Sequence, residues 1–191
     1  NTKIVRALYR PYTQRWLYFD SHLNERVYQW PKISGLVIVT SDIVWRAPVF
    51  SALMTDTIAD LHLCGSDAHQ CFPLSHLKDS AVEQFRARYA DPSITREDVF
   101  YYIYAVLHHP AYRERFAANL KRELPRIPFA PDFHAFAQAG RELARLHVDY
   151  ESLPAWPLQA IENDSLPYSE RVTKMKLSEN RDSIRINESL T

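Results

Sequence analysis

Histidine, cysteine and aspartate side chains recur over one short stretch and could together bind a metal ion. Thiolate and imidazole groups are the ligands that zinc prefers in proteins. The spacing matches no zinc finger or zinc ribbon, however, and buried cysteines often serve only as small apolar side chains. We therefore predict no metal site and keep a small metal-dependent enzyme as one alternative. The stretch comprises His62, Cys64, Asp67, His69, Cys71 and His76.

The motifs of other common enzymes are missing from the sequence. Its three glycines, Gly35, Gly65 and Gly140, are far apart, whereas P-loops, dinucleotide-binding folds and methyl-donor sites need clustered glycines. No serine has the flanking glycines of a nucleophile elbow. Asp56 and Asp60 are close together, but no lysine accompanies them as a metal-dependent nuclease would require. We expect no catalytic centre in this segment.

Arginines alternate with aromatic residues near the start of the sequence, in a pattern typical of nucleic-acid contacts. Arginine can bind a phosphate or form paired hydrogen bonds with guanine, and aromatic rings can support a displaced base. Arg10 and Arg15 are therefore candidate DNA contacts. The interleaved aromatic residues are Tyr9, Tyr12, Trp16 and Tyr18.

Charge is distributed unevenly along the chain. The formal net charge is zero, which argues against a general polyanion binder. The first fifty residues nevertheless hold seven Lys or Arg against three Asp or Glu, an excess of four positive charges. This excess adds Lys32 and Arg46 to the candidate contacts. A later basic set could bind DNA or form a solvated helix face; it comprises Arg113, Lys121 and Arg122.

Hydrophobic periodicity predicts an α+β fold in one domain with three parts. Residues 1–78 are expected to be mainly β, as a mixed or antiparallel sheet, and residues 79–150 mainly α. Residues 151–191 are predicted to be a proline-spaced segment and a closing hairpin with its turn at 179–182. The other predicted elements are strands at 3–8, 15–19, 35–40, 48–53, 57–63 and 72–77, and a short helical turn at 23–28.

Capping and breaking residues mark the central helices. The Thr95 hydroxyl can cap a helix while Asp98 reaches back to the Thr95 amide. Pro110 separates this helix from a second one predicted at 111–124, so the two form a helical hairpin. Further helices are predicted at 79–89 and, as a third long helix, at 132–148.

Several segments together resemble one known family. They are Tyr9-Arg10-Pro11-Tyr12 followed by Arg15, then Cys71–Leu74, Asp98–His108, Tyr112–Ala117 continuing to Pro125–Pro128, and Gly140–Leu146. The chain resembles the C-terminal specificity domain of type ISP restriction-modification enzymes, which carry adenine-specific DNA methyltransferases. It departs from the family in having Tyr12 where a phenylalanine is typical. It also ends where further closing strands would be expected, so we expect it to be a fragment.

The resemblance implies that the chain recognises a target sequence in double-stranded DNA. It also implies an upstream methyltransferase domain in the parent chain, for which this module would position an adenine for N6 methylation. S-adenosylmethionine would be the cofactor of that domain, and no cofactor is expected in this segment. We expect a cytoplasmic location and no membrane partner. Base-reading residues vary with the target, so none is assigned individually.

A docking module without DNA contact is the main alternative. In that case the helical hairpin would pack against a partner domain. Its tyrosines would suit a protein interface, because aromatic side chains are enriched there. They are Tyr101, Tyr102, Tyr104 and Tyr112.

Overall fold

A β-hairpin begins the described part of the chain. Strands β1 (Ile4–Arg10) and β2 (Thr13–Tyr18) pair in antiparallel fashion. Pro11 and Tyr12 form the turn. Tyr12 has a positive φ of 57°, which a bulky residue adopts only when surrounding contacts hold it there. The computed structural model describes residues 3–20, 35–41, 50–60, 62–64, 69–155 and 157–191.

The described residues form two three-stranded sheets in the N-terminal part of the chain. The second sheet is antiparallel, with β3 (Val37–Ser41) between β4 (Ala52–Thr55) and β6 (His69–Pro73). In the first sheet, β5 (Ile58–Ala59) pairs in parallel with β1. That sheet is therefore mixed, and the predicted mixed or antiparallel arrangement is confirmed.

Strand β3 separates two apolar cores. Successive side chains of a strand point to opposite faces, and the continuous apolar run allows burial on both. Val37 and Val39 are fully buried beside Leu8 and Leu63. Ile38 belongs instead to the larger core that the helices build. Through these contacts β3 connects the N-terminal hairpin to the helices.

Four helices of the described residues form what we call the helical layer. The second of them is largely buried, and its Tyr102 and Tyr104 have no exposed surface. These tyrosines therefore belong to the protein's own core, as does most of Tyr112, whereas Tyr101 is partly buried; the three buried rings are not available for the docking that the alternative hypothesis proposes. The helices are α1 (Asp79–Tyr89), α2 (Arg96–His108), α3 (Pro110–Arg115) and α4 (Phe133–Val148).

Helices α2 and α4 approach each other closely at Gly140. A Cβ atom at this position would lie 1.9 Å from the Tyr101 carbonyl oxygen, well inside van der Waals contact. Gly140 is itself buried within α4. The close approach of the two helices therefore requires glycine at this position.

The predicted capping box at the start of α2 is present. The Thr95 hydroxyl accepts a hydrogen bond from the Asp98 amide at 3.1 Å, and the Asp98 carboxylate accepts one from the Thr95 amide at 3.0 Å. Asp132 likewise caps α4 by accepting from the Ala135 amide at 2.9 Å. A cap of this kind contributes about 1 kcal/mol of stability, so the starts of α2 and α4 are encoded locally.

The second predicted helix is wrong in its length. The sequence predicts it at 111–124, but α3 ends at Arg115 and turns follow up to residue 123. Tyrosine hydroxyls draw the next segment back onto the helices: Tyr112 donates to the Arg126 carbonyl at 2.9 Å, and Tyr102 donates to that of Pro128 at 2.6 Å. A helix continued to Leu124 would carry the chain away from both tyrosines.

Strand boundaries also differ from those predicted, because pairing with the neighbouring strands determines them. Strand β6 begins at His69, opposite Ser41, instead of at residue 72. Strand β4 begins at Ala52 instead of residue 48, and β5 has only two residues. The helical turn predicted at 23–28 lies outside the described residues.

Residues 154–191 form a second compact unit that follows the unit of residues 1–153. Its strands β7 (Lys176–Leu177) and β8 (Ile184–Arg185) make the predicted closing hairpin. Polar contacts hold this unit: the buried Asn187 amide donates to the Ser169 and Arg171 carbonyls at 2.6 and 3.0 Å. With this unit included, the α+β class is confirmed.

Candidate nucleic-acid interface

Arg15 projects from β2, an edge strand of its sheet, and is exposed. Its guanidinium lies 4.3 Å from the centre of the Tyr9 ring. Such a cation–π contact orients the group without neutralising its charge. Within the part of the chain that the structure describes, no carboxylate lies within ion-pair distance of Arg15. Arg15 therefore presents a charged, oriented and accessible guanidinium, and it stays a predicted DNA contact.

Arg10 lies in the same strand pair, but its guanidinium is already engaged. It contacts the Tyr9 ring at 4.2 Å, donates to the Tyr9 carbonyl at 2.7 Å and pairs with Asp60 at 3.2 Å. The Asp60 carboxylate also accepts from the His62 amide at 2.9 Å. Arg10 therefore joins β1 to the end of β5, and much of its charge is compensated.

The turn of this hairpin is held against the end of α4. Arg6 pairs with Glu151 at 2.6 Å. The Tyr12 ring makes edge-on contacts with His147 and Tyr150, each with 5.5 Å between ring centres. These contacts account for the left-handed backbone of Tyr12, and they fix the direction in which β2 presents Arg15.

An exposed aromatic face lies on this hairpin. Ile4 is opposite Tyr18, and Arg6 is opposite Trp16, so the four side chains share one side of the strand pair. Trp16 is 74% exposed, and Ile4 and Tyr18 are about half exposed. Arg15 projects from the other side, because neighbouring residues of a strand alternate between faces.

The other Lys and Arg residues among the first fifty either form ion pairs or lie outside the residues that the structure describes. Lys3 pairs with the buried Asp20. Lys32 and Arg46, both predicted as DNA contacts, lie outside the described residues. Of the four early candidates, Arg15 is therefore the one that the structure presents as both accessible and without a carboxylate partner among the described residues.

Arg113 has a structural position in the helical layer. Its Nε donates to the Leu107 carbonyl at 2.7 Å, and its Nη2 is 3.4 Å from His108 Nδ1. The guanidinium also lies 5.7 Å from the Phe50 ring centre, and burial lowers the pKa of Arg113. Arg113 therefore caps the C-terminal end of α2 by bonding to its carbonyl. The sequence instead placed Arg113 in the later basic set of candidate DNA contacts.

Lys121 and Arg122 are exposed in the turns that follow α3. Nearby, Arg126 pairs with Glu123 at 2.9 Å. Neither Lys121 nor Arg122 has a carboxylate within ion-pair distance among the residues that the structure describes. Both stay predicted phosphate contacts, on a turn segment rather than on the predicted helix.

A cluster of aromatic and imidazole rings lies between α2 and α4. The Tyr104 hydroxyl is hydrogen-bonded to His147 Nδ1. The His108 ring centre is 4.6 Å from that of Tyr104 and 5.5 Å from that of His147. Burial, together with the Arg113 charge and His147, lowers the pKa of His108 to about 4. Both histidines therefore stabilise the interior as neutral rings, since burial also lowers the pKa of His147.

The stretch that the metal-enzyme alternative would use is described only in part, because residues 65–68 lie outside the described residues. Cys64 and Cys71 are free thiols. Burial raises the pKa of Cys71 to about 11, with Cys64 adding to the effect, and a protonated thiol is a poor metal ligand. The described residues, which exclude Asp67, contain no group of three or more His, Cys, Asp or Glu that could hold a metal ion.

Two cations that the sequence analysis did not single out face each other in the second unit. Lys176 lies directly opposite Arg185 across β7 and β8, and both are exposed. The signal was available in the sequence: centring a hairpin on the predicted turn at 179–182 aligns these two positions.

A family model describes the whole chain. The model for the type ISP C-terminal specificity domain matches residues 1–191. The chain belongs to this family. The sequence-based resemblance is thereby confirmed, and with it the assignment to type ISP restriction-modification enzymes. No curated protein matches the chain.

Solved structures of larger proteins contain the same fold. The chain is similar to DrdV in a DrdV–DNA complex, with 34% identity over 99% of the chain and a TM-score of 0.81. It is 33% identical over 99% of its length to LlaGI, a type ISP enzyme solved with a DNA substrate mimic, with a TM-score of 0.68. LlaBIII, a type ISP enzyme bound to DNA, is 22% identical over the whole chain, with a TM-score of 0.72, and shows the fold alone.

The matched region is a small part of those proteins. This chain spans 21% of the solved DrdV chain, 15% of LlaGI and 14% of LlaBIII. Among the described residues, no helix is both long and apolar enough to cross a membrane.

Proposed function

We propose that this chain recognises a target sequence in duplex DNA as the specificity part of a type ISP restriction-modification enzyme. Its family supports this, as do two relatives above 30% identity whose structures contain DNA or a DNA mimic. The observation within the chain that carries the proposal is Arg15, an exposed guanidinium held over the Tyr9 ring with no carboxylate bound among the described residues.

The guanidinium of Arg15 would bind a phosphate or a base edge. Its fork of donors matches either two phosphate oxygens or the O6 and N7 atoms of guanine. Tyr9 limits the positions that the side chain samples, which lowers the entropy lost on binding. Lys121 and Arg122, with Lys32 and Arg46, would add phosphate contacts that fix the register of the domain on DNA. Arg10 and Arg113 would contribute mainly by holding their elements in place.

Catalysis would belong to other parts of the parent enzyme. An upstream methyltransferase domain would bind S-adenosylmethionine and methylate an adenine at N6 after flipping it out of the helix. The present chain would position that adenine and would itself carry no catalytic group. A DNA partner of this kind implies a cytoplasmic location.

Selection from a randomised duplex library tests the proposal. The 191-residue chain is immobilised and incubated with duplexes that have a randomised central segment, and bound DNA is amplified and sequenced over several rounds. A specificity domain is expected to enrich one short motif, because base contacts discriminate by about 1–3 kcal/mol per position. A parallel selection on beads without protein is the control. A bound pool as random as the starting pool contradicts the proposal.

Docking to a neighbouring protein domain is a second candidate, and the exposed aromatic face favours it. Trp16, Tyr18 and Ile4 form an apolar surface next to Arg6, which is the composition of a protein interface. The two candidates are distinguished by the same selection. A chain that binds its methyltransferase domain but enriches no DNA motif is a docking module.

A further inference from the structure

The β7–β8 hairpin holds two positive charges side by side. Lys176 and Arg185 are directly opposite in the antiparallel register, so their side chains leave the strand pair on the same face. Both residues are exposed. Like charges in this arrangement repel each other and destabilise the pairing.

The hairpin has little else to offset that repulsion. Its other residue pair is Leu177 with Ile184, and isolated two-stranded hairpins are marginally stable in water. Lys176 and Arg185 have no carboxylate within ion-pair distance among the described residues 157–191. Two acids of the unit are engaged elsewhere: Asp182 accepts from the Ser178 hydroxyl at 2.7 Å, and Glu170 accepts from the Tyr168 hydroxyl at 2.9 Å.

Polar bonds at the turn keep the two cations in register despite the repulsion. The Ser178 hydroxyl oxygen accepts from the Asp182 and Ser183 amides at 3.1 and 3.2 Å, and the Ser178 amide donates to the Ser183 carbonyl at 2.9 Å. The turn therefore holds Lys176 and Arg185 opposite each other. An anion between their side chains would remove the repulsion between the two positive charges.

Two more cations precede the pair on the same segment. Arg171 and Lys174 are exposed, and neither has a carboxylate within ion-pair distance in the described part of the chain. The Arg171 carbonyl is held by the Asn187 amide at 3.0 Å, so the approach to β7 is also fixed. The facing pair on the hairpin and the two cations on the segment that leads to it suit a ligand with several negative charges.

We propose that this hairpin binds the phosphate backbone of duplex DNA, with one phosphate lying between Lys176 and Arg185. The inference rests on the proposed function and adds a contact surface to it. Contacts of this kind position a protein on DNA and carry no sequence information. Substituting the pair should therefore weaken binding to all duplexes equally and leave the selected motif unchanged.

The test compares two double variants of the 191-residue chain. Lys176→Gln/Arg185→Gln removes the facing pair, and Lys78→Gln/Arg88→Gln removes the same charge from exposed positions at the start and end of α1. Affinity for one duplex is measured by fluorescence anisotropy at several salt concentrations. The facing-pair variant should bind about tenfold more weakly at low salt, and its log–log salt slope should fall by about 1 for each phosphate that the hairpin no longer neutralises. The control should retain the slope of the unsubstituted chain.

The outcomes separate the inference from the function on which it rests. Equal slopes and affinities for the two double variants, with the unsubstituted chain binding DNA, overturn the hairpin contact alone. A changed target motif in the facing-pair variant would overturn the phosphate role, because it would mean base reading. An unsubstituted chain that binds no duplex at all overturns the proposed function. Lys176→Arg, which keeps both charges, should bind like the unsubstituted chain.

Discussion

The helical layer and the edge strand β2 use arginine in different ways. In the helical layer, Arg141 pairs with Asp98 at 2.8 Å and lies 4.6 Å from the Tyr101 ring centre, and Arg113 donates to the Leu107 carbonyl. In strand β2, Arg15 lies over the Tyr9 ring with no carboxylate partner among the described residues, and Trp16 is largely exposed. Arginines that are bonded inside the layer stabilise the fold, whereas an arginine left accessible on an edge strand can bind a ligand.

This contrast predicts that different residues determine the stability of the fold and its affinity for DNA. Substitutions in the helical layer should change the free energy of unfolding, and substitution of Arg15 should change DNA affinity without changing stability. Variants on each side of that division test it, beginning with the one of largest expected effect.

Gly140→Ala should have the largest effect on stability. Its Cβ would overlap the Tyr101 carbonyl oxygen, so α2 and α4 would have to separate, at a cost of about 3 kcal/mol or more. Urea unfolding followed by circular dichroism measures this cost. The exposed neighbour substitution Ala139→Ser should change stability by less than about 0.5 kcal/mol. Equal midpoints for the two variants would contradict the close helix contact.

Acid should destabilise the helical layer through His108. Its pKa is lowered from 6.5 to about 4 by burial, so as the pH falls through this window the unfolded chain binds a proton before the folded chain does. Stability is therefore full above pH 6.5 and decreases towards pH 4, by on the order of 2 kcal/mol after allowance for solvent screening. Urea unfolding at pH 7 and pH 5 measures the loss.

His108→Gln isolates that contribution. The variant cannot take up the proton, so its stability should depend less on pH between 7 and 5. His76→Gln, at an exposed position, should keep the pH dependence of the unsubstituted chain. If His108→Gln and His76→Gln show the same pH dependence, His108 is not a buried neutral group.

Features encoded by neighbouring residues were predictable from the sequence. The Thr95–Asp98 capping box and the apolar run of β3 depend on residue types a few positions apart, and both were located correctly. The length of α3 was not predicted correctly, because it depends on hydrogen bonds from Tyr102 and Tyr112 to carbonyls that are 26 and 14 residues away.

The candidate DNA contacts likewise depend on residues that are distant in the sequence. The arginine-aromatic pattern identified Arg10 and Arg15 equally, but only the fold pairs Arg10 with Asp60, fifty residues away. Arg113 and Lys121 likewise look alike in sequence, and differ because the end of α2 buries one of them. Charge pattern therefore predicts candidate contacts, and the tertiary partners determine which candidates stay accessible.

The most direct test of the account is the salt dependence of DNA binding by an Arg15→Ala variant. Arg88→Ala, which removes another exposed arginine from α1, is the matched control. The account predicts that Arg15→Ala loses about 1–3 kcal/mol of duplex affinity with unchanged urea stability, while Arg88→Ala binds like the unsubstituted chain. If Arg15→Ala retains both the affinity and the salt slope of the control, the β1–β2 hairpin does not contact DNA and the central claim is wrong.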